Sequence, residues 1–530
     1  MIRRLLPGAL TLAVLALIVG GSFAGLLAVA DRTAPAELWH SAYYRRVVSF
    51  SLWQALLSTL LSVGPAILVA RALARRPAFP GRRLLLRLFA LPLVMPTLVG
   101  ILGVVAVFGH AGLINRAAAA LGLPVGQYLY GLTGILIAHV FFNLPLATRM
   151  LLPVWLAIPG ETWRLAAQLG MRSGDIFRLI EWPLLRQALP GAAGLVFMLC
   201  FTSFAVVLTL GGGPAASTIE VAIYQAVRFE FDLGRAVELA LLQVVLCGLL
   251  VGIGQRFARP VPLTPTAQRP QDRPDTTSPI GRLADAVVLA AAAAFVLLPV
   301  VSVILAGLTG PVAAVLADAS LWAAVARSLL VALGAGLLSL ALGWALLLTT
   351  RELRLRRHLP RPATALETGA SLTLVVPPLV IGTGLYVVLS RITDVFALGL
   401  LLVILVNGVM ALPYVIRTLG PPMMRLAEQH DRLCASLGLA GWSRFRLVEW
   451  PLLRRPAGAA LALAAALAVG DLGVIAFFGT PETTTLPLLL YQRIGAYQLD
   501  AAAVTALVLL ALCLALFAAI ERGVGGHGRH

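Results

Sequence analysis

Phe177-Arg178-Leu179-Ile180-Glu181-Trp182-Pro183-Leu184-Leu185-Arg186 returns with a single change as Phe445-Arg446-Leu447-Val448-Glu449-Trp450-Pro451-Leu452-Leu453-Arg454. The offset is 268 residues in a chain of 530. The same offset aligns Leu144-Pro145 with Leu412-Pro413, Arg149 with Arg417, and Leu169-Gly170 with Leu437-Gly438. Chance is a poor explanation for such agreement, and internal duplication is a good one. What repeats most clearly is a polar, arginine-rich segment of about thirty residues rather than an apolar one.

The surroundings of that segment are apolar. Sixty per cent of the chain is hydrophobic, more than a soluble fold can cover with polar groups. A bilayer core needs about 20 apolar residues per helical span. Such spans are expected near 9–30, 48–70, 88–108, 131–157, 188–210, 235–255, 283–308, 321–349, 366–390, 397–416, 457–478 and 501–520. The alternating segments of roughly ten residues that mark a membrane β-barrel do not stand out. The expected fold class is an all-α polytopic membrane protein of about twelve spans in two homologous six-helix halves. An even number of spans per half gives both copies one orientation, related by an axis along the membrane normal. The first half covers 1–257 with its loop at 158–186. A linker covers 258–281, and the second half covers 282–530 with its loop at 418–455. Six prolines between Arg256 and Gly281 mark the linker as extended and disordered.

The net charge of +18 comes from 41 basic residues, every one an arginine. With the N-terminus in the cytoplasm, 32 of the 41 lie in cytoplasmic segments. That bias follows the positive-inside rule and places both termini in the cytoplasm. The arginines sit in short clusters between spans, which fits topology signalling and not a nucleic-acid surface. A chain without lysine has no standard P-loop, so it carries no ATPase site of its own. Gly211-Gly212-Gly213 reads as a turn. Arg3 and Arg4 precede an apolar run from about Ala9 to Ala30, longer than the h-region of a signal peptide, so it is expected to stay as the first span. Cys200, Cys247, Cys434 and Cys513 are scattered, without C-x-x-C spacing, and are expected to be buried apolar residues. No metal site is expected.

The repeated loop is readable in detail. Gly170 follows a helix-permissive run as a C′ stop. Ser173 is a candidate N-cap for a second short helix, which Pro183 should limit. Gly438, Ser443 and Pro451 repeat the pattern. Phe177 and Phe445 are candidate apolar tips for a partner, or packing residues between loop and bundle. Two copies of one cytoplasmic surface imply two equivalent docking sites for a dimeric or duplicated partner.

The loop resembles the EAA motif of binding-protein-dependent ABC importer permeases. Gly170, Ile180 and Pro183 match its spacing, as do Gly438, Val448 and Pro451, and Ala166 matches its second alanine. Arg164 and Arg432 stand where the family has glutamate; Leu165 and Leu433 replace the first alanine, and Cys434 the second. Within that family the chain resembles the fused permeases of thiamine and thiamine pyrophosphate importers. The supporting stretches are 49–55, Ala138-His139-Val140-Phe141-Phe142-Asn143-Leu144-Pro145, 165–173, 210–214 with Thr218-Ile219-Glu220, Gly441-Trp442-Ser443-Arg444, and Ile494-Gly495-Ala496-Tyr497. Fused ferric-iron permeases share the layout and remain the alternative.

The resemblance implies the type I ABC importer (MetI-like) permease fold in the bacterial inner membrane. It also implies two ATPase subunits that bind ATP and Mg, and a periplasmic solute-binding protein. The implied coupling residues are Ala166, Gly170, Phe177, Glu181, Pro183, Gly438, Phe445, Glu449 and Pro451. Asp471 lies in a predicted span, where a carboxylate needs a partner, a wet cavity or a function. It is a candidate for the path of a cationic solute, together with its repeat equivalent Ser203 and with Glu238. His139 has no evident partner and is expected to be structural. Trp39, Tyr43 and Tyr44 are expected as interface anchors. A secondary transporter would need more carboxylates or histidines deep in the spans, and a membrane enzyme would need a cluster of them.

Overall fold

The computed structural model describes residues 5–29, 41–213, 216–257, 273–276, 278–374 and 376–525. Twelve principal helices carry the fold. In the first half they are α1 (Leu6–Val29), α2 (Ala42–Arg75), α3 (Thr97–Phe108), α4 (Leu132–Leu156), α5 (Ser173–Phe201) and α6 (Leu233–Phe257). In the second they are α7 (Pro279–Thr309), α8 (Ala319–Arg351), α9 (Pro378–Leu389), α10 (Gly399–Ser436), α11 (Gly441–Val469) and α12 (Leu499–Gly525). Among the described residues, 11 helical stretches are long and apolar enough to cross a membrane.

The expected span at 366–390 is the exception. It is divided into Pro360–Ser371, a short 3₁₀ turn, and α9. Pro377 and Pro378 explain the division. Neither can donate a backbone N–H, and each restricts the residue before it, so the helix restarts at Pro378. Its counterpart α3 likewise begins just after Pro96. Each of these helices has 12 residues, about 18 Å at 1.5 Å per residue, against a core of about 30 Å.

The halves embrace one another. Helix α1 packs on α8 and α9 of the second half, while α7 packs on α2 and α3 of the first. Small and hydroxyl residues permit the close approach. The Gly8 N–H donates to Thr349 Oγ1 at 2.9 Å, and the Ser22 hydroxyl donates to the Ile381 carbonyl at 3.1 Å. A Cβ on Gly384 would lie 2.4 Å from the Ser22 carbonyl oxygen. Such contacts stand in for the hydrophobic drive that lipid does not supply. The four cysteines are buried and unpaired.

Most of the linker, 258–272 and residue 277, and also Trp39, lie outside the described residues. Residues 273–276 are described, and they correct the expectation of an extended linker: Pro274–Thr276 forms a 3₁₀ turn, and Arg273 and Asp275 are buried.

Candidate functional site

The two repeated loops have the same build. In the first, helix Gly160–Gln168 ends in a Schellman motif: Met171 N–H bonds the Ala166 carbonyl at 3.0 Å and Gly170 N–H bonds that of Ala167 at 3.1 Å. Gly170 has φ +61°, a conformation glycine adopts without a Cβ penalty. In the second, Leu439 N–H bonds Cys434, Gly438 N–H bonds Ala435, and φ at Gly438 is +63°. Ala166 and Cys434 are both buried beneath these stops.

Beyond the glycine, the structure departs from the expected short second helix. The chain runs Ser173–Ile176, then a π turn Phe177–Glu181, then continues unbroken through Pro183 to Phe201. Trp182 N–H bonds the Phe177 carbonyl five residues back, as Trp450 does with Phe445. The wider turn accommodates a proline that would clash with an α-helical carbonyl four residues earlier. Pro183 and Pro451 therefore mark the π turn and not a helix end. Ser173 is also not the N-cap: Arg172 holds that position, with Asp175 accepting from its backbone N–H at 3.1 Å. Ala440 takes the corresponding place in the second loop, and Ser443 lies inside the helix, donating to the Ala440 carbonyl.

The π turn ends each time on a buried glutamate held by two arginines. Glu181 accepts from Arg71 Nε at 2.6 Å and from Arg273. Glu449 accepts from Arg351 Nη1 at 2.8 Å and from Arg444 Nε at 2.8 Å. Arg71 and Arg351 stand at the C-terminal ends of α2 and α8. The second arginine differs in origin. Arg444 belongs to its own loop and also pairs with Asp431. Its repeat position in the first loop is the buried Ile176. There the linker supplies Arg273, which pairs with Asp275 at 3.1 Å and lies 4.2 Å above the Trp163 ring. The sequence pattern showed the glutamates but not Arg71, Arg273 and Arg351, because these three partners come from outside the loops.

Phe177 and Phe445 are half-buried. Arg71 lies 4.9 Å over the Phe177 ring, and Phe445 is packed among Trp344, Trp442 and Trp450. Exposed leucines stand at matching places in the repeat, beside exposed Trp182, Trp442, Trp450 and Leu452. They are Leu165, Leu169 and Leu179 (54, 67 and 62% exposed) and Leu433, Leu437 and Leu447 (55, 63 and 62%). Arg164 and Arg432 are exposed beside them.

The three candidate pathway residues are not brought together. Ser203 and Asp471 occupy equivalent breaks, between α5 and helix Ala205–Leu210 and between α11 and helix Gly473–Phe478. Asp471 accepts from the backbone N–H of Gly473 and Val474 at 3.2 and 3.1 Å, and from Asn407 Nδ2 at 3.4 Å. Ser203 lies 2.9 Å from His139 Nε2, whose Nδ1 meets Ser58 at 2.8 Å. His139 thus has two partners, both remote in sequence. Glu238 is elsewhere and accepts from the Tyr44 hydroxyl at 2.5 Å. The residue that sequence reasoning passed over is Glu220, buried on helix Ile219–Arg228 and bonded by Gln243 Nε2 at 3.1 Å. Its signal was a lone acid in an apolar segment. Gly211–Gly213 does form a turn, with φ +70° at Gly212 and +131° at Gly213.

Residues 341–523 match the family model described as binding-protein-dependent transport system inner membrane component. Nearly full-length similarity is found to the thiamine transport system permease proteins ThiP of Brucella abortus (46% identity; 97% of this chain and 94% of the relative) and Escherichia coli K12 (45%; 98% and 97%). The molybdenum transport system permease ModB of Mycobacterium bovis is 30% identical over 201 residues, 38% of this chain and 73% of the relative.

Proposed function

This chain belongs to the thiamine transport system permeases, inner-membrane components of binding-protein-dependent transport, and we propose from that premise that its two repeated loops each seat one ATPase subunit. It is the membrane-spanning permease of a thiamine importer that works with a periplasmic binding protein and a separate ATPase. We extend the cargo to the phosphates of thiamine. ATP and Mg belong to the ATPase, and the arginine-rich face with both termini lies in the cytoplasm.

The observation that carries the docking assignment is the pair of exposed leucine sets at matching repeat positions. Each set stands on a loop that a glycine stop and a buried glutamate hold rigid. Exposed leucines on a polar, cytoplasmic loop expect an apolar partner surface. Closure of the ATPases on ATP pulls the two loops, and the halves rock to open the pathway first outward, then inward. Ala166, Gly170, Glu181 and Pro183 keep the first lever stiff; Cys434, Gly438, Glu449 and Pro451 do so for the second. Phe177 and Phe445 anchor the levers to the bundle. Of the pathway candidates, Asp471 and Ser203 are retained for their equivalent helix breaks, and Glu238 is assigned to the pair with Tyr44.

The test is co-purification of the ATPase with the chain. Leu179→Arg combined with Leu447→Arg should abolish it and leave the permease folded, because these side chains touch little of their own protein. Full retention of the ATPase by the double variant would refute the docking assignment.

A further inference from the structure

Four buried carboxylates in this protein are held by arginine, while the buried Glu220 and the half-buried Asp471 are not. Glu181, Asp275, Asp285 and Glu449 each form an ion pair with at least one guanidinium. Among the described residues, no guanidinium forms an ion pair with Glu220 or Asp471. Glu220 has Gln243, and Asp471 has two backbone N–H groups and Asn407. Taking a carboxylate out of water without a cation is strongly unfavourable, so a charge of opposite sign is the natural complement of both.

The two acids come from different halves. The bridge between them is aromatic. Tyr224, one helical turn after Glu220, packs edge-to-face on Phe204 with ring centroids 5.3 Å apart. A Cβ at Gly473, in the Asp471 turn, would lie 3.7 Å from Phe204 Cδ1. Tyr224-Gln225 has a repeat counterpart in Tyr491-Gln492, at an offset of 267. Nearby, Arg228 donates to the Gly479 carbonyl at 3.1 Å and ties the halves together.

Unpartnered polar groups surround the same place. Thr485, 3% exposed, has an Oγ1 without a hydrogen-bond partner and lines a tight crevice together with Asp471 and Ser328. On the other side, the Thr218 hydroxyl and the Gln243 side-chain oxygen are equally buried and equally unpartnered. Thr218 and Thr485 are the N-cap residues of matching helices, Ile219–Arg228 and Leu486–Gly495. Two carboxylates, orphaned oxygens and the Tyr224–Phe204 ring pair are the chemistry of an organic-cation site.

We propose that Glu220 and Asp471 form a cation-binding site on the solute path, closed in this conformation, that takes the thiazolium of the cargo as the halves rock. The proposal rests on the thiamine reading. It assigns charge recognition to a residue from each half, so the site is complete only when the halves are apposed. Asp471 also caps the helix that follows it, so its test must preserve that cap.

The experiment uses the importer reconstituted in vesicles with its ATPase and binding protein. Uptake of thiamine is compared with uptake of a neutral thiophene analogue that lacks the thiazolium charge. Asp471→Asn keeps a capping oxygen, and Glu220→Gln keeps the bond with Gln243; each removes only a charge. Either variant should lower thiamine uptake at least about tenfold, as loss of a charge-assisted contact does, and leave analogue uptake and ATP hydrolysis unchanged. Thiamine uptake equal to wild type in both variants would overturn the site alone. Equal losses for cation and neutral analogue would also overturn it, leaving the acids a structural role. Wild-type vesicles that carry no thiamine would overturn the site together with the reading beneath it.

Discussion

At Gly170 and Gly438 the space where a Cβ would stand is open, and only the backbone conformation restricts the side chain. Sterics therefore predict that substitutions differ by tolerance of the left-handed region, not by size. Gly170→Val with Gly438→Val should strain each stop by about 1–2 kcal/mol and separate ATP turnover from thiamine uptake. Gly→Asn at both sites should largely preserve coupling, since asparagine visits that region more readily. Coupling ratios measured in vesicles decide it, and normal coupling in the valine variants would remove the lever role of the stops. These glycines were legible in the sequence because a C′ glycine has a local signature. The arginines on Glu181 were not, since Arg71 and Arg273 lie about a hundred residues to either side of it and no local pattern joins them.

Among elements, local rules misjudged the linker end and the π turn. Proline was read as a stop at Pro183, but one π hydrogen bond absorbs it and lets the loop and α5 move as one rod. Composition marked the linker as extended, yet Arg273 and Asp275 are drawn into a buried cluster with Arg71, Arg75 and Glu181. That difference between the loops is testable. Arg273→Ala should destabilise the first loop by about 1–3 kcal/mol, the range for a lost hydrogen bond to a charged group. Hydrogen exchange should accelerate in 173–186 and remain unchanged in 441–454. Matched acceleration in both loops would show that Arg273 does not serve the first loop specifically. The broken third span of each half was likewise read as continuous, because hydropathy averages over the prolines that divide it.

For the whole molecule, duplication made the architecture legible. Two six-helix halves and the repeated loop could be placed without coordinates. The exchange of α1 and α7 between halves could not, because apolar helices carry little information about which neighbour they choose. Nor could the link from the Glu220 helix to the Asp471 turn, which runs through Tyr224 and Phe204. The interlocked first helices predict that the halves do not separate as independent units. Co-expressed as 1–257 and 282–530, they should co-purify in mild detergent; recovery of each half alone as a stable monomer would contradict the exchange.

Uptake in cells tests whether this permease carries thiamine. Labelled thiamine at nanomolar concentration is given to host cells with and without the chain, with ferric iron as the parallel substrate. Loss of thiamine uptake alone in cells lacking the chain is the predicted result. Loss of iron uptake with thiamine uptake intact would contradict the claim.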